Sequence, residues 1–137
     1  MPQGKLLYEV TANWKVAEIG QTPLGSRNDF YLDGKTSGEI SGKYMGVDYG
    51  LVGNDGVVAV HVHETIRTDD GEIISSFRQG YAVPNPQGMY DIKGFVTFAA
   101  GSKKYAWLNN TVGVVEAEGN PKGEPNFKAK VYEWKDK

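Results

Sequence analysis

Apolar and polar residues alternate with a period of two along most of the chain, and this pattern restricts the fold more than any other feature. From Leu6 to Val16 the even positions are Leu6, Tyr8, Val10, Ala12, Trp14 and Val16, with Glu9, Thr11, Asn13 and Lys15 between them. Successive side chains on a strand point to opposite faces, so this segment predicts a half-buried strand. Val57 to Thr68 is the longest such run and is rich in β-branched residues. It is bounded by Asn54-Asp55-Gly56 and Asp69-Asp70-Gly71, and Asp-Gly between alternating runs marks a tight hairpin. Further strands are expected at Asn28 to Leu32, around Val47 to Leu51, and at Glu72 to Val83, Tyr90 to Ala99, Tyr105 to Ala117 and Phe127 to Trp134. Thr22-Pro23-Leu24-Gly25, the Pro84 to Gly88 loop and the Gly/Pro-rich Gly119 to Pro125 stretch punctuate them. No window carries helical periodicity. About eight or nine strands joined mostly by short turns predict one all-β domain over residues 1–137. The expected architecture is an antiparallel meander closing into a small barrel, because closure removes exposed strand edges.

Composition narrows the partners. A formal net charge of -2 gives no basic footprint for a nucleic acid. With no cysteine there is neither a disulfide nor a thiolate for catalysis or zinc. No apolar run approaches the roughly eighteen residues of a membrane span. Met1-Pro2-Gln3-Gly4-Lys5 leads into an alternating stretch and not into a leader's apolar core, which points to the cytoplasm. Gly34, Gly38, Gly42, Gly46 and Gly50 recur every fourth residue. On strands this spacing marks a sharp barrel corner, with close approach of a ligand to the backbone as the alternative.

Chemistry concentrates on the Val57 to Thr68 strand. His61, His63 and Arg67 share one face, and Val58, Val60, Val62 and Ile66 share the other, interrupted by Glu64. Imidazole titrates and ligates near neutrality, but with only two histidines in the chain the pair lacks the further ligands of a stable metal site, so no metal and no cofactor are expected. Glu64 stands where the pattern asks for a hydrophobe, and burial would raise its pKa into the range useful for acid-base work. Asp48, on the neighbouring strand, is placed to face His61 across the sheet. Tyr105-Ala106-Trp107-Leu108-Asn109 follows a Gly-Ser-Lys-Lys loop and suits a pocket mouth, with Tyr105 and Trp107 stacking on a ligand and Asn109 orienting it.

Ile66-Arg67-Thr68-Asp69-Asp70-Gly71 with Ile73-Ile74, and Lys104-Tyr105-Ala106-Trp107-Leu108-Asn109, resemble segments of the "domain of unknown function 3237" family. Ile19 to Gly25 and Val131-Tyr132-Glu133 resemble it too, so the likeness spans nearly the whole chain. The resemblance implies a small antiparallel β-barrel, often oligomeric, with no activity common to the family. The family tends to carry Asp and Arg at the positions of His61 and His63, which implies a pocket retuned for another ligand.

These residues suit an enzyme that works without a cofactor on a small hydrophobic or aromatic metabolite. The step is proton transfer, of isomerase, cyclase or lyase type. His61 or Glu64 is the expected base, Asp48 or His63 its partner or the acid, and Arg67 the anchor for an anionic group. The alternative is a non-catalytic barrel that binds a small molecule. Two histidines and an arginine on one face favour a polar lumen lined by His61, His63 and Arg67. In that arrangement the valine stripe needs cover from another subunit, so a homo-oligomer follows; an apolar lumen permits a monomer and points to Glu64.

Overall fold

The computed structural model describes residues 4–135. Eight strands run in chain order around a closed antiparallel barrel: β1 (Leu6–Thr22), β2 (Gly25–Gly38), β3 (Gly42–Val52), β4 (Val58–Thr68), β5 (Ile73–Pro84), β6 (Tyr90–Ala100), β7 (Val112–Gly119) and β8 (Phe127–Glu133). β1 closes the ring by pairing with both β2 and β8; Tyr8, for instance, lies opposite Gly38 on one side and Val131 on the other. Both Asp-Gly turns form, and Gly56 and Gly71 take φ of +83° and +90° there, a region that costs glycine nothing. Among the described residues no helix is long and apolar enough to cross a membrane.

The expected strand from Tyr105 to Ala117 is corrected. Residues Ala106–Asn110 form a 3-10 helix, and β7 begins only at Val112. Tyr105 and Leu108, three apart and therefore eclipsed on a 3-10 turn, are both buried. Asn109 fastens the turn: its Oδ1 accepts the Ala100 N–H at 2.7 Å, and its Nδ2 donates to the Ala100 carbonyl at 2.9 Å. On the β4–β5 turn Asp70 receives Thr68, Lys104 and Tyr105, so the segment is tied down at both ends and plugs one end of the barrel.

The valine face of β4 lines the lumen, which corrects the expected interior of His61, His63 and Arg67. Val58, Val60, Val62 and Ile66 point inward and are 6%, 4%, 0% and 0% exposed, while His61, His63 and Arg67 point outward and are exposed. An eight-stranded barrel has an interior just wide enough for side chains to fill. Burying each of these aliphatic side chains contributes roughly 1.5–3 kcal/mol, whereas two imidazoles and a guanidinium inside would lose their hydration for no matching partner. The valine stripe therefore needs no second subunit to cover it.

The glycine array divides by function. A Cβ on Gly34 would stand 2.1 Å from the Thr11 carbonyl oxygen, and one on Gly42 2.1 Å from that of Arg67, so these two allow the tight coiling of a barrel corner. Gly46 lies directly opposite Glu64, and its Cβ would stand 3.2 Å from the Glu64 Cγ. Its missing side chain is the space the buried carboxylate occupies.

Candidate functional site

The end of the barrel opposite the plug opens into a cavity of about 330 Å³. Its walls are aromatic and aliphatic. Trp14, Phe30, Tyr90 and Phe127 stand around Leu32, Val58, Val60 and Ile92, with Trp14 and Phe30 edge to face at 6.4 Å. Gly119 leaves room for the Trp14 ring, whose Cη2 would lie 3.1 Å from a Cβ there. A largely apolar concavity with a few convergent polar groups is the usual form of a small-molecule site.

The polar groups at its floor come from strand register. Phe30, Asp48, Val62 and Arg78 are successive cross-strand partners on β2 to β5, so one inward-facing row carries both an acid and a base around the apolar Val62. The next row down carries Gly46, Glu64 and Ser76. Glu64, 5% exposed, accepts Ser76 Oγ on Oε1 at 3.0 Å, and on Oε2 the Tyr44 hydroxyl together with Arg78 Nε at 3.2 Å. Burial works against the charge of Arg78, but Glu64, Tyr44 and Asp48 together hold its pKa above the ordinary arginine value. Burial and the Glu64 charge push the Tyr8 and Tyr44 hydroxyls well above the usual phenol range, so both remain protonated. The guanidinium packs over the Phe127 ring at 5.2 Å. Its Nε is committed to Glu64, and beyond the neighbouring Tyr44 hydroxyl no described side chain accepts from its two terminal NH2 groups. Those groups are available to a ligand oxygen.

Asp48 is the buried carboxyl of the cavity. Desolvation raises its pKa to about 6, against the lowering effects of the His61 backbone N–H, which donates to Oδ1 at 3.0 Å, and of the Arg78 charge. Between the Asp48–Val62 and Leu51–Ala59 pairs β3 and β4 part, and Tyr49 and Gly50 have no Cα partners on β4. The Asp48 carboxylate thus serves a backbone donor where the ladder is interrupted. A carboxyl that changes charge just below neutrality, beside a fixed guanidinium and inside an apolar chamber, can take up and return a proton.

The residues singled out in the sequence separate in space. Asp48 and Glu64 reach the lumen, Asp48 at the cavity and Glu64 beneath it. Asp48 does meet His61, but through the backbone and not the ring. His61 stands on the outer wall in a shallow groove with Gln79, Tyr81 and Phe95, and His63 tilts against Phe77 at 5.0 Å. Arg67 is exposed on that same outer face. Tyr105, Trp107 and Asn109 belong to the plug at the far end, where Trp107 receives the Lys5 ammonium at 5.5 Å, so none of the three lines the cavity. Arg78, Tyr44 and the four aromatic walls did not stand out in the sequence. Arg78 shares the parity of Ile74, Ser76 and Ala82, the same anomaly that made Glu64 conspicuous, and an opposite charge at inward parity on the adjacent strand is the signal that finds it. Among the described residues no group of three or more His, Cys, Asp or Glu is placed to hold a metal ion.

Three solved structures resemble this barrel over nearly its whole length. A protein of unknown function from Clostridium acetobutylicum superposes with a TM-score of 0.86 at 26% identity, covering 98% of this chain and 100% of that one. A β-barrel-like protein from Acinetobacter baumannii gives 0.85 at 24% identity, covering 98% and 97%. An enzyme from Penicillium herquei gives 0.72 at 25% identity, covering 96% and 94%. Comparison with the curated proteins found no match. The family model described as protein of unknown function (DUF3237) matches residues 2–134.

Proposed function

The chain belongs to the DUF3237 family, and we propose that its barrel is an enzyme that moves a proton on a small, hydrophobic, aromatic carbonyl compound bound in the lumen. The observation that carries this is the placement of Asp48 and Arg78 in one inward row at the floor of a cavity whose walls are mostly aromatic and aliphatic. The similar fold of an enzyme from Penicillium herquei supports catalysis over simple binding. Asp48 as carboxylate takes a proton from the carbon next to the substrate carbonyl. The electron pair of the broken C–H bond becomes a carbon–carbon double bond, the carbonyl π pair moves onto oxygen, and the resulting enolate oxygen is met by the terminal NH2 groups of Arg78. Returning that proton from Asp48 to a different carbon completes an isomerisation; expelling a leaving group from the next carbon makes the step an elimination. Glu64, held by Tyr44 and Ser76, fixes the guanidinium through Nε and so acts as a positioning residue.

Thermal-shift screening against flat aromatic ketones and polyketide-like metabolites is expected to find ligands that raise the melting temperature, since a ligand that binds only the folded state stabilises it. Hits consumed over hours support the enzyme, and hits returned unchanged support the binding barrel. Because the base form of Asp48 is the active one, kcat/KM is expected to fall as pH drops through about 6 and to level off above it. A rate that instead climbs below pH 6 would assign Asp48 the acid role.

We further propose that the barrel self-associates through its outer wall. Tyr81 and Phe95 stand on the adjacent strands β5 and β6 in the outer groove that also holds His61, and they are 61% and 47% exposed, an apolar pair that favours contact with a second copy. Sedimentation is expected to give an oligomer for the wild type and a smaller species for Phe95→Lys. A wild-type monomer removes this reading.

A further inference from the structure

We propose that Glu18 and Asn28 form a second polar subsite at the rim of the cavity, which reads a hydrogen-bond-donating group, a phenolic hydroxyl, on the outer end of the ligand. This rests on the reading of the lumen as a site for an aromatic carbonyl compound. The two residues are Cα partners on β1 and β2, and both line the cavity. Neither side chain has a hydrogen-bond or ion-pair partner among the described residues. Arg27, their nearest cation in sequence, has the opposite parity and is committed to Asp29 at 2.8 Å. The rim pair therefore presents a carboxylate and an amide with their acceptors unused.

The spacing suits a ligand polar at both ends. Phe30, the next inward residue after Asn28, is the cross-strand partner of Asp48. Two residues of strand separate the rim row from the floor row, a rise of roughly 7 Å, comparable to the width of an aromatic ring with its substituents. Trp14, Phe30, Val58 and Tyr90 supply apolar wall to the same cavity. Apolar walls discriminate weakly between a hydroxyl and an ether of similar shape, whereas a paired acceptor gains a bond from the first and none from the second. A carboxylate at the rim also repels a second acidic group, so the outer end of the ligand is a neutral donor and not a carboxylate or phosphate.

Calorimetric titration with 2-acetylnaphthalene and its 6-hydroxy and 6-methoxy derivatives tests this on the wild type and on the Glu18→Ala/Asn28→Ala variant. Neither side chain holds another described residue, and an unchanged melting temperature verifies that the variant folds; Glu18→Gln, which keeps an acceptor, serves as a milder control. The hydroxy compound is expected to bind the wild type about fivefold to tenfold more tightly than the methoxy compound, and within about twofold of it in the double variant. The unsubstituted ketone is expected to bind both proteins alike. Equal binding of hydroxy and methoxy compounds by the wild type, or a preference that survives in the variant, overturns the subsite while leaving the lumen reading intact. Failure of 2-acetylnaphthalene to bind the wild type overturns the lumen reading and the subsite together.

Discussion

Changing Asp48 to Asn is expected to cut turnover roughly 100- to 10,000-fold, the usual contribution of a positioned acid-base group, while making the protein more stable at neutral pH. The amide keeps an acceptor for the His61 N–H, so the wall where β3 and β4 part is preserved. What disappears is a carboxylate whose ionisation the folded state opposes. An aspartate ionises in the unfolded chain near pH 4, and in the folded barrel burial raises that pKa to about 6. Between those values the folded state holds more protons than the unfolded one, so stability falls as pH rises through the interval and is flat above it. About two pKa units correspond to roughly 3 kcal/mol at pH 7. For a chain of this size that converts to a rise of roughly 6–12 °C in the melting temperature of Asp48→Asn at pH 7. The difference is expected to shrink to nothing near pH 4, where the wild-type carboxyl is already protonated. Equal melting temperatures at pH 7 would mean that Asp48 is not desolvated, and undiminished turnover would remove it from the chemistry. A group that stabilises the protein when deleted is what a site held for function, and not for folding, is expected to contain.

The opposite behaviour is expected of Glu64. Glu64→Ala leaves the Arg78 guanidinium, the Tyr44 hydroxyl and the Ser76 hydroxyl buried without their shared acceptor. Breaking a buried ion pair by removing one partner costs about 3–5 kcal/mol, which for this chain lowers the melting temperature by roughly 10–20 °C. Glu64→Gln keeps an acceptor and loses less. The double variant Glu64→Gln/Arg78→Met replaces the pair by neutral groups and is expected to recover much of the stability lost in Glu64→Ala, because neither partner of the pair is left as a lone buried charge. It is also expected to lose activity, since nothing then meets the developing oxyanion. If Glu64→Ala melts within a few degrees of the wild type, Glu64 does not anchor Arg78 and its positioning role is withdrawn.

The contrast between these two carboxylates shows how far strand parity reaches. The period of two placed Glu64 on the valine face and the histidines on the other, and that division holds residue for residue. It could not say which face turns inward, because a strand has two faces and parity labels them symmetrically. The choice belongs to the closed ring: eight strands enclose a space that one set of side chains must fill, and four aliphatic groups fill it at far lower cost than three polar ones. Similarly, the words around Tyr105 to Asn109 were legible as aromatic and distinctive. Their alternation imitated a strand, yet Tyr105 and Leu108 are spaced for a 3-10 turn, and Asn109 closes it with two bonds to Ala100.

By itself the sequence determined the elements that depend on neighbours in the chain. The alternating runs, the two Asp-Gly hairpins, the all-β meander and the corner glycines follow from local sterics and period-two burial. Only the tertiary structure decided the site. Asp48, Glu64 and Arg78 stand 16 and 14 residues apart along the chain and become neighbours through the register of three strands. Register is a property of paired backbones, fixed where one face is buried all around a closed barrel, and no single strand carries it.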